Sequence, residues 1–465
     1  MRSPVVIAVL CTVLGTGVFS QQASVVAITG GTLIDGNGGA TIIDARGKFL
    51  MPGLVDTNVH LSLYGGTGER YETLAKYHPR QAEIVLEAAQ LQLKHGVTTV
   101  RDSYGLLMPL VAVRNQVASG AAIGPRILAA GNIVGWGGPY SISFSLIREL
   151  GLTVFQEQVN DEVSQGVGED LVDLDPEELR LAIRAYLDKG PDFIKFGGTA
   201  HFSRPSFIGF SPEAQRVMVE EAHRRGKVAE THSTTADGLR LSIEAGIDLI
   251  QHPELLGLRE LPDALVRAIV GKKVICSMLS NTISGEAWKK AVKDRDEAQA
   301  KRAEAEKAQK GTPRPRTGAE LRQRAADEGL ELQMRRHNAR KLIAAGAVVT
   351  IGTDNYWAAA PEFTRGGAKP DNQNHGIGSV IAVEGLVELG MTPAQAIVAA
   401  TRNGALAARG LSEFGTIEAG KRADLLLLDA SPLSDISNLR RLSVVMRDGK
   451  VIDRDRLPLQ RVLSR

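Results

Sequence analysis

Cysteine is nearly missing from this chain: Cys11 and Cys276 are the only two among 465 residues. Cys11 sits in an apolar N-terminal stretch, so the remainder keeps a single thiol. One thiol forms no internal disulfide, and the fold has to be held by its core. Aromatic residues are scarce too, at 5%, which excludes a base-stacking surface as an organising feature. Charge of one sign is also lacking. The 55 basic and 53 acidic residues leave a net +2, so there is no electrostatic case for a nucleic-acid partner. Beyond the N-terminus no apolar run is long enough to form a transmembrane segment.

What is there begins with residues 1–20, which read as a signal peptide. Arg2 supplies a short positive region, and residues 5–18 are mostly apolar. Val18, Phe19 and Ser20 put small residues where a signal peptidase reads, and Gln21-Gln22-Ala23 makes a polar mature start. The run is too short to span a bilayer comfortably. The expectation is a secreted or periplasmic protein.

Residues 24–50 alternate apolar and polar positions between glycine-rich turns, the pattern of a small antiparallel sheet. Such a sheet cannot bury both faces alone and needs a partner. Candidate strands then alternate with amphipathic helices. The strands fall at 54–60, 97–102, 126–130, 192–196, 228–232, 249–252, 274–278 and 348–354. Eight βα units in this length predict an α/β protein, a (β/α)8 TIM barrel over 54–407. A doubly wound open sheet is less favoured, because no Gly-rich dinucleotide fingerprint follows the first strand. The C-terminal stretch returns to strands, with a hairpin turn at Arg447-Asp448-Gly449. Residues 24–53 and 408–460 are therefore expected to build a β-sandwich domain from both chain ends. Two insertions interrupt the barrel. Residues 135–175 are read as a polar loop and candidate lid, and 284–335 as two charged surface helices joined by a Pro-rich break.

Six polar residues stand near the C-terminal ends of candidate strands: Asn58, His60, Lys195, His232, His252 and Asp354. Catalytic groups of such barrels gather at that end. Asn58 and His60 are two apart, so on a strand they point the same way. Imidazole and carboxylate suit a borderline divalent cation such as Zn²⁺. Lys195 lies in the apolar run Phe193-Ile194-Lys195-Phe196, where an unpaired ammonium is costly. A carbamate formed with CO₂ turns it into an oxygen ligand. Taken singly, each residue also has a plainer role, as a core histidine, a helix cap or an ion-pair partner.

Several stretches carry a family likeness. They are Leu50-Met51-Pro52-Gly53-Leu54-Val55-Asp56, Gly96-Val97-Thr98-Thr99-Val100-Arg101-Asp102, Asp192-Phe193-Ile194-Lys195 and Gly352-Thr353-Asp354. With them the chain resembles the amidohydrolase superfamily, and within it the imidazolonepropionase-like and Xaa-Pro dipeptidase-like members. That resemblance implies one or two divalent metals, held by His60, Lys195 as its carbamate, His232, His252 and Asp354, with Asp354 also moving the proton. It departs at Asn58, where the family carries a first histidine. An amide oxygen there is a weak ligand. Thr234 and the loop from Gly135 to Tyr140 also lack histidines that related dipeptidases place there. His201, Tyr140 and Trp136 are candidate substrate contacts, and with Trp357 they suit a partly apolar substrate.

The expected activity is hydrolysis of a C–N bond in an amide, cyclic amide or dipeptide-like substrate by metal-activated hydroxide. Two alternatives stay open: a deaminase with one metal, and a catalytically impaired barrel that binds a ligand because Asn58 replaces the first histidine. The partner is a small molecule or short peptide; homo-oligomerisation is left open.

Overall fold

The computed structural model describes residues 45–62, 76–138, 141, 143, 153–201, 206–308, 317, 320, 329–356 and 371–464. The signal peptide, the candidate strands over 24–44, Tyr140 and Trp357 lie outside these residues.

Runs of β-branched and other apolar residues buried on both faces are what a parallel sheet requires. They form here where the sequence places them. After the short strand β1 (Phe49–Pro52) come β2 (Leu54–Val59), β3 (Val97–Asp102) and β4 (Arg126–Ala129), a three-stranded parallel sheet. A second parallel sheet has five strands in sequence order: β5 (Phe193–Gly197), β6 (Val228–His232), β7 (Leu249–Gln251), β8 (Ile275–Met278) and β9 (Val349–Ile351). Hydrogen bonds join the two sheets on both sides. Val134 N donates to Lys195 O at 2.8 Å, and Gly197 N to Val134 O at 3.0 Å. On the other side Asp354 N donates to Asn58 O at 2.7 Å, and His60 N to Asn355 O at 3.0 Å.

Helices between the strands begin where side chains can satisfy the first free N–H groups. Asp175 and Glu178 form a reciprocal cap on Pro176–Asp188, Ser211 caps Pro212–Arg224 and Thr235 caps Ala236–Ala245. The remaining strands form a four-stranded antiparallel sheet in the order β1-β10-β11-β12, with β10 at Leu425–Leu428, β11 at Leu442–Arg447 and β12 at Lys450–Ile452. The hairpin turn is where it was expected, with φ of 49° at Asp448 and 76° at Gly449. Arg126 Nη1 reaches Asp424 at 2.9 Å and ties this sheet to β4.

The first insertion differs from its reading. Residues 135–175 are not simply a polar loop. They contain the helix Val154–Ser164, started by a capping box of Thr153 and Gln156, and it buries Val159 and Val163 one turn apart. In the second insertion the helix Gly285–Ala308 is largely solvated, as read. The helix Leu330–Ala344 runs out of the insertion and, past residue 335, buries Arg336, Asn338, Ala339 and Leu342 as it leads into β9. The Pro-rich break itself lies outside the described residues.

Gly352 closes β9 in a tight place. A Cβ there would stand 2.0 Å from Ser277 Oγ and 2.9 Å from Asn58 Cβ. Gly352→Ala is expected to cost about 1–3 kcal/mol, the usual range for overpacking, measured by denaturant unfolding. An unchanged midpoint would show that this junction has room for a methyl group.

Candidate active site

Six strand ends deliver polar side chains to the same region: Asn58 and His60 from β2, Ser103 after β3, Lys195 in β5, His232 in β6, His252 after β7 and Asp354 after β9. Asp354 is the point where they meet. Its Oδ1 accepts from Asn58 Nδ2 at 3.2 Å and lies 2.6 Å from His60 Nε2. Asn58 Nδ2 is also 3.3 Å from His252 Nε2. His60 is held from behind, with its Nδ1 3.0 Å from Tyr104 O. The rings of His232 and His252 stand 5.6 Å apart. Lys195 Nζ donates to Ser103 Oγ at 3.3 Å, and Ser103 Oγ donates in turn to Asn58 Oδ1. The structure thus brings together all six residues that the sequence singled out.

Two of the candidate substrate contacts, Trp136 and His201, fall at one edge. Trp136 is only 2% exposed and gives its indole N–H to Thr199 O at 3.1 Å. Its ring stands 4.8 Å from that of His232. His201 stacks on His232, with centroids 5.8 Å apart. Trp136 is therefore a wall behind the imidazoles.

Charge in this region is controlled by burial. Burial first, then the positive charges facing it, push the His232 imidazole well below its usual range. Burial likewise takes His252 down to about 3. Both are neutral at neutral pH, the form that ligates a metal. Burial also lowers Lys195, whose nearest negative charges are Glu230, Asp354 and Asp102. Among the described residues Lys195 Nζ makes no ion pair. Burial opposes the Asp354 charge, but His60, His252 and the His60 hydrogen bond outweigh it and hold the carboxyl well below its usual range. Its side chain is 33% exposed, open enough to meet a substrate.

Two of these residues sit on unusual backbone. His252 has φ of 54° and Asp354 of 56°. Left-handed backbone at a non-glycine residue costs roughly 1–3 kcal/mol and persists only where the surroundings enforce it, commonly at functional sites.

The donor types gathered here, imidazole and carboxylate, are ones that suit a divalent cation. His232 Nε2 and His252 Nδ1 are buried and have no hydrogen-bond partner among the described residues, and buried polar atoms are nearly always paired. Among the described residues no three His, Cys, Asp or Glu side chains already stand at metal-binding spacing. The set proposed from the sequence includes Asn58 and Lys195 as well. Asn58 itself is otherwise engaged. Its Oδ1 takes the Ser103 hydroxyl, so the N–H side of the amide faces Asp354 and His252.

Sequence reasoning missed the layer beneath. Asp56 Oδ1 accepts from Asn58 N and Thr353 N, at 3.1 and 3.2 Å, and Oδ2 from Thr353 Oγ1 at 2.7 Å. Arg101 and Glu230, both fully buried, pair at 2.8 Å, and Gln251 Nε2 donates to Glu230 at 2.9 Å. Breaking such a pair typically costs about 3–5 kcal/mol. The one available signal was charge inside apolar strand runs, at Asp56, Arg101 and Glu230. Ser103, next to the end of β3, gave none.

Ser103→Ala removes the hydroxyl between Lys195 and Asn58 and leaves both with an unmet partner. It is expected to lower stability by about 1–3 kcal/mol, read from denaturant unfolding, and to weaken metal retention in dialysis. Neither effect would mean that the hydroxyl is not needed to orient Asn58.

The chain is 24% identical over 411 residues to an ochratoxinase of Aspergillus niger, covering 84% of this chain and 72% of the relative. It is 26% identical over 422 residues to an imidazolonepropionase of Anaeromyxobacter sp. (strain K), covering 84% and 77%. Among solved structures, phenylurea hydrolase B matches with a TM-score of 0.78 at 30% identity, covering 95% of each chain. Molinate hydrolase matches with a TM-score of 0.78 at 29% identity, covering 95% of this chain and 92% of that one. A Xaa-Pro dipeptidase shares the fold at a TM-score of 0.65 and 23% identity, covering 92% of this chain and 94% of that one. These neighbours make the fold α/β and TIM-barrel-like. Residues 49–452 match the Amidohydrolase family, whose members generally use a divalent metal, and the chain belongs to that family of C–N bond hydrolases.

Proposed function

We propose that this protein is an exported, metal-dependent hydrolase of a C–N bond in a small neutral amide or urea. In this reading the two parallel sheets close into one (β/α)8 barrel, and the sheet β1-β10-β11-β12 belongs to a β-sandwich beside it. The observation that carries the reading is the convergence on Asp354: His60 and Asn58 both bond its Oδ1, and His252 adjoins them. The phenylurea hydrolase likeness adds ureas to the amides and dipeptides.

The cation is Zn²⁺ or a similar divalent ion. His60, His232, His252, Asp354 and Lys195 as its carbamate would hold it; burial favours the neutral amine of Lys195, which meets no ion-pair partner among the described residues. When bound, the cation lowers the pKa of a water and polarises the substrate carbonyl. Asp354 accepts the proton on its carboxylate and returns it to the leaving nitrogen. His60 holds that carboxylate through Oδ1. Asn58 replaces a ligand by an orienting amide: its N–H group steadies Asp354, and its oxygen is turned to Ser103. The position that the family's first histidine would serve is thereby weakened, and the firmer one is at His232, His252 and Lys195. Trp136 and His201 line the apolar side. The deaminase reading is disfavoured by Lys195.

Elemental analysis of the purified chain is expected to show unequal occupancy, one cation held tightly and a second weakly. Asn58→His should strengthen the weak position. Equal, full occupancy in the unmodified chain would sink the role given to Asn58. Asp354→Asn should keep most of the metal and lower turnover by about 10²–10⁴-fold, the range of general acid–base catalysis. A loss below tenfold would assign the proton to another group.

Export is tested separately. Expressed in full, the chain should be recovered outside the cytoplasm with Gln21 as its first residue. An intact N-terminus on cytoplasmic protein would refute the signal peptide.

A further inference from the structure

The helix Gln81–Lys94, between β2 and β3, carries Glu83, Glu87, Gln90 and Lys94. They are three or four positions apart and share one face. The segment that follows β12 lies along that face. Arg454 Nε donates to Lys94 O at 2.8 Å, and Lys94 Nζ to Leu457 O at 2.9 Å. Leu459 N donates to Gln90 Oε1 at 2.8 Å, and Gln460 Nε2 to Glu83 Oε2 at 2.6 Å. The firmest hold is at Glu87, which is only 3% exposed. Its Oε2 accepts from Val462 N at 3.0 Å and Leu463 N at 2.7 Å. Its Oε1 accepts from Ser464 N at 2.8 Å and from the Ser464 hydroxyl. Hydrogen bonds to a carboxylate are roughly twice as strong as those to a neutral acceptor.

What these bonds deliver is the Leu463 side chain. It is buried in one apolar cluster with Ile84, Tyr104, Leu106, Ile133 and Trp136. Val462 and Tyr356 pack against the same cluster, and Tyr356 is two residues past Asp354. Tyr104 and Trp136 reach the candidate centre directly. Tyr104 O lies 3.0 Å from His60 Nδ1, and the Tyr104 ring stands edge-on to that imidazole at 6.0 Å. The same ring meets Trp136 at 6.5 Å, and Trp136 meets His232 at 4.8 Å. A close-packed cluster transmits the loss of one side chain to its other members.

We propose that Glu87 and Leu463 are positioning residues for the candidate centre. Glu87 fixes residues 459–464 as a strap, and Leu463 on that strap holds Tyr104 and Trp136 against the imidazoles of His60 and His232. Neither residue meets a substrate or a reacting atom. The role goes beyond the C–N hydrolase reading and rests on it only for taking those imidazoles as the centre.

The variants are made in the full chain carrying Trp288→Phe and Trp357→Phe, which leaves Trp136 as its one tryptophan. Leu463→Ala is expected to shift the Trp136 emission to the red and to raise its quenching by acrylamide. Leu463→Met refills most of the space and should restore both. Glu87→Gln keeps the shape but turns an NH₂ against the N–H donors. Hydrogen exchange at the amides of 462–464 is then expected to speed up by about tenfold or more, with Trp136 responding as in Leu463→Ala. Leu459→Ala, on the same strap with its side chain 53% exposed, should change neither. Zinc loaded into the chain should pass to a chelator faster in Leu463→Ala and Glu87→Gln than in the unmodified chain. Val445→Ala removes a buried side chain in β11 and controls for lost stability; it should leave Trp136 and the zinc rate unchanged.

Faster exchange at 462–464 with Trp136 unmoved overturns the proposal, leaving the segment a passive tether. An equal response in Val445→Ala, or zinc lost at the unmodified rate, overturns it as well. Should Glu87→Gln fail to fold, the Leu463→Ala and Leu463→Met pair decides. A Trp136 response in a chain that takes up no zinc even when unmodified supports the strap and counts against the metal-dependent reading.

Discussion

The junction between β2 and the turn after β9 is the constraint on which the site depends. Asp354 N donates to Asn58 O, and His60 N to Asn355 O. Thr57 Oγ1 donates to Ile351 O at 2.7 Å, and Asp56 collects Thr353 through both its N–H and its hydroxyl. Residues nearly three hundred positions apart are thereby fixed against each other. The left-handed backbone at Asp354 is held by the same bonds. Without this seam, nothing would bring the His60 imidazole to the Asp354 carboxylate.

Burial then sets the chemistry. A carboxylate, an amine and three imidazoles share a region with little water, so each takes the protonation state that its neighbours allow. The imidazoles of His232 and His252 are kept neutral by desolvation. Asp354 stays ionised because positive partners outweigh its burial. Lower down, Arg101 and Glu230 neutralise each other, and Arg101 also lies over the Phe193 ring at 4.0 Å. The charged interior is therefore layered: the Arg101–Glu230 ion pair at the base, and above it buried imidazole nitrogens without hydrogen-bond partners among the described residues.

Asn58 shows how one change of residue type redirects a site. Histidine offers a ring nitrogen with a free lone pair. An amide offers an oxygen and an NH₂, and hydrogen bonds decide which of them faces the centre. Here the Ser103 hydroxyl takes the oxygen and turns the NH₂ to Asp354. The position thus becomes an orienting contact in place of a ligand.

The sequence by itself determined the α/β alternation, the positions of the parallel strands and the six polar residues at their ends. These are local properties: apolar runs of strand length, helix caps, and a polar side chain where the run stops. Burial on both faces makes such strands conspicuous, which is why Leu54–Val59 and Val228–His232 are legible. The tertiary structure alone decided the rest. No local pattern distinguishes Ser103 from any serine after a strand, or Glu87 from the other charged residues of its helix. Residues 154–164 did carry a local helix signal, the capping pair Thr153 and Gln156, inside a stretch that otherwise reads as polar loop, but what the helix packs against is not local. Their roles depend on which distant groups they meet, and that is fixed by packing between elements far apart in the chain.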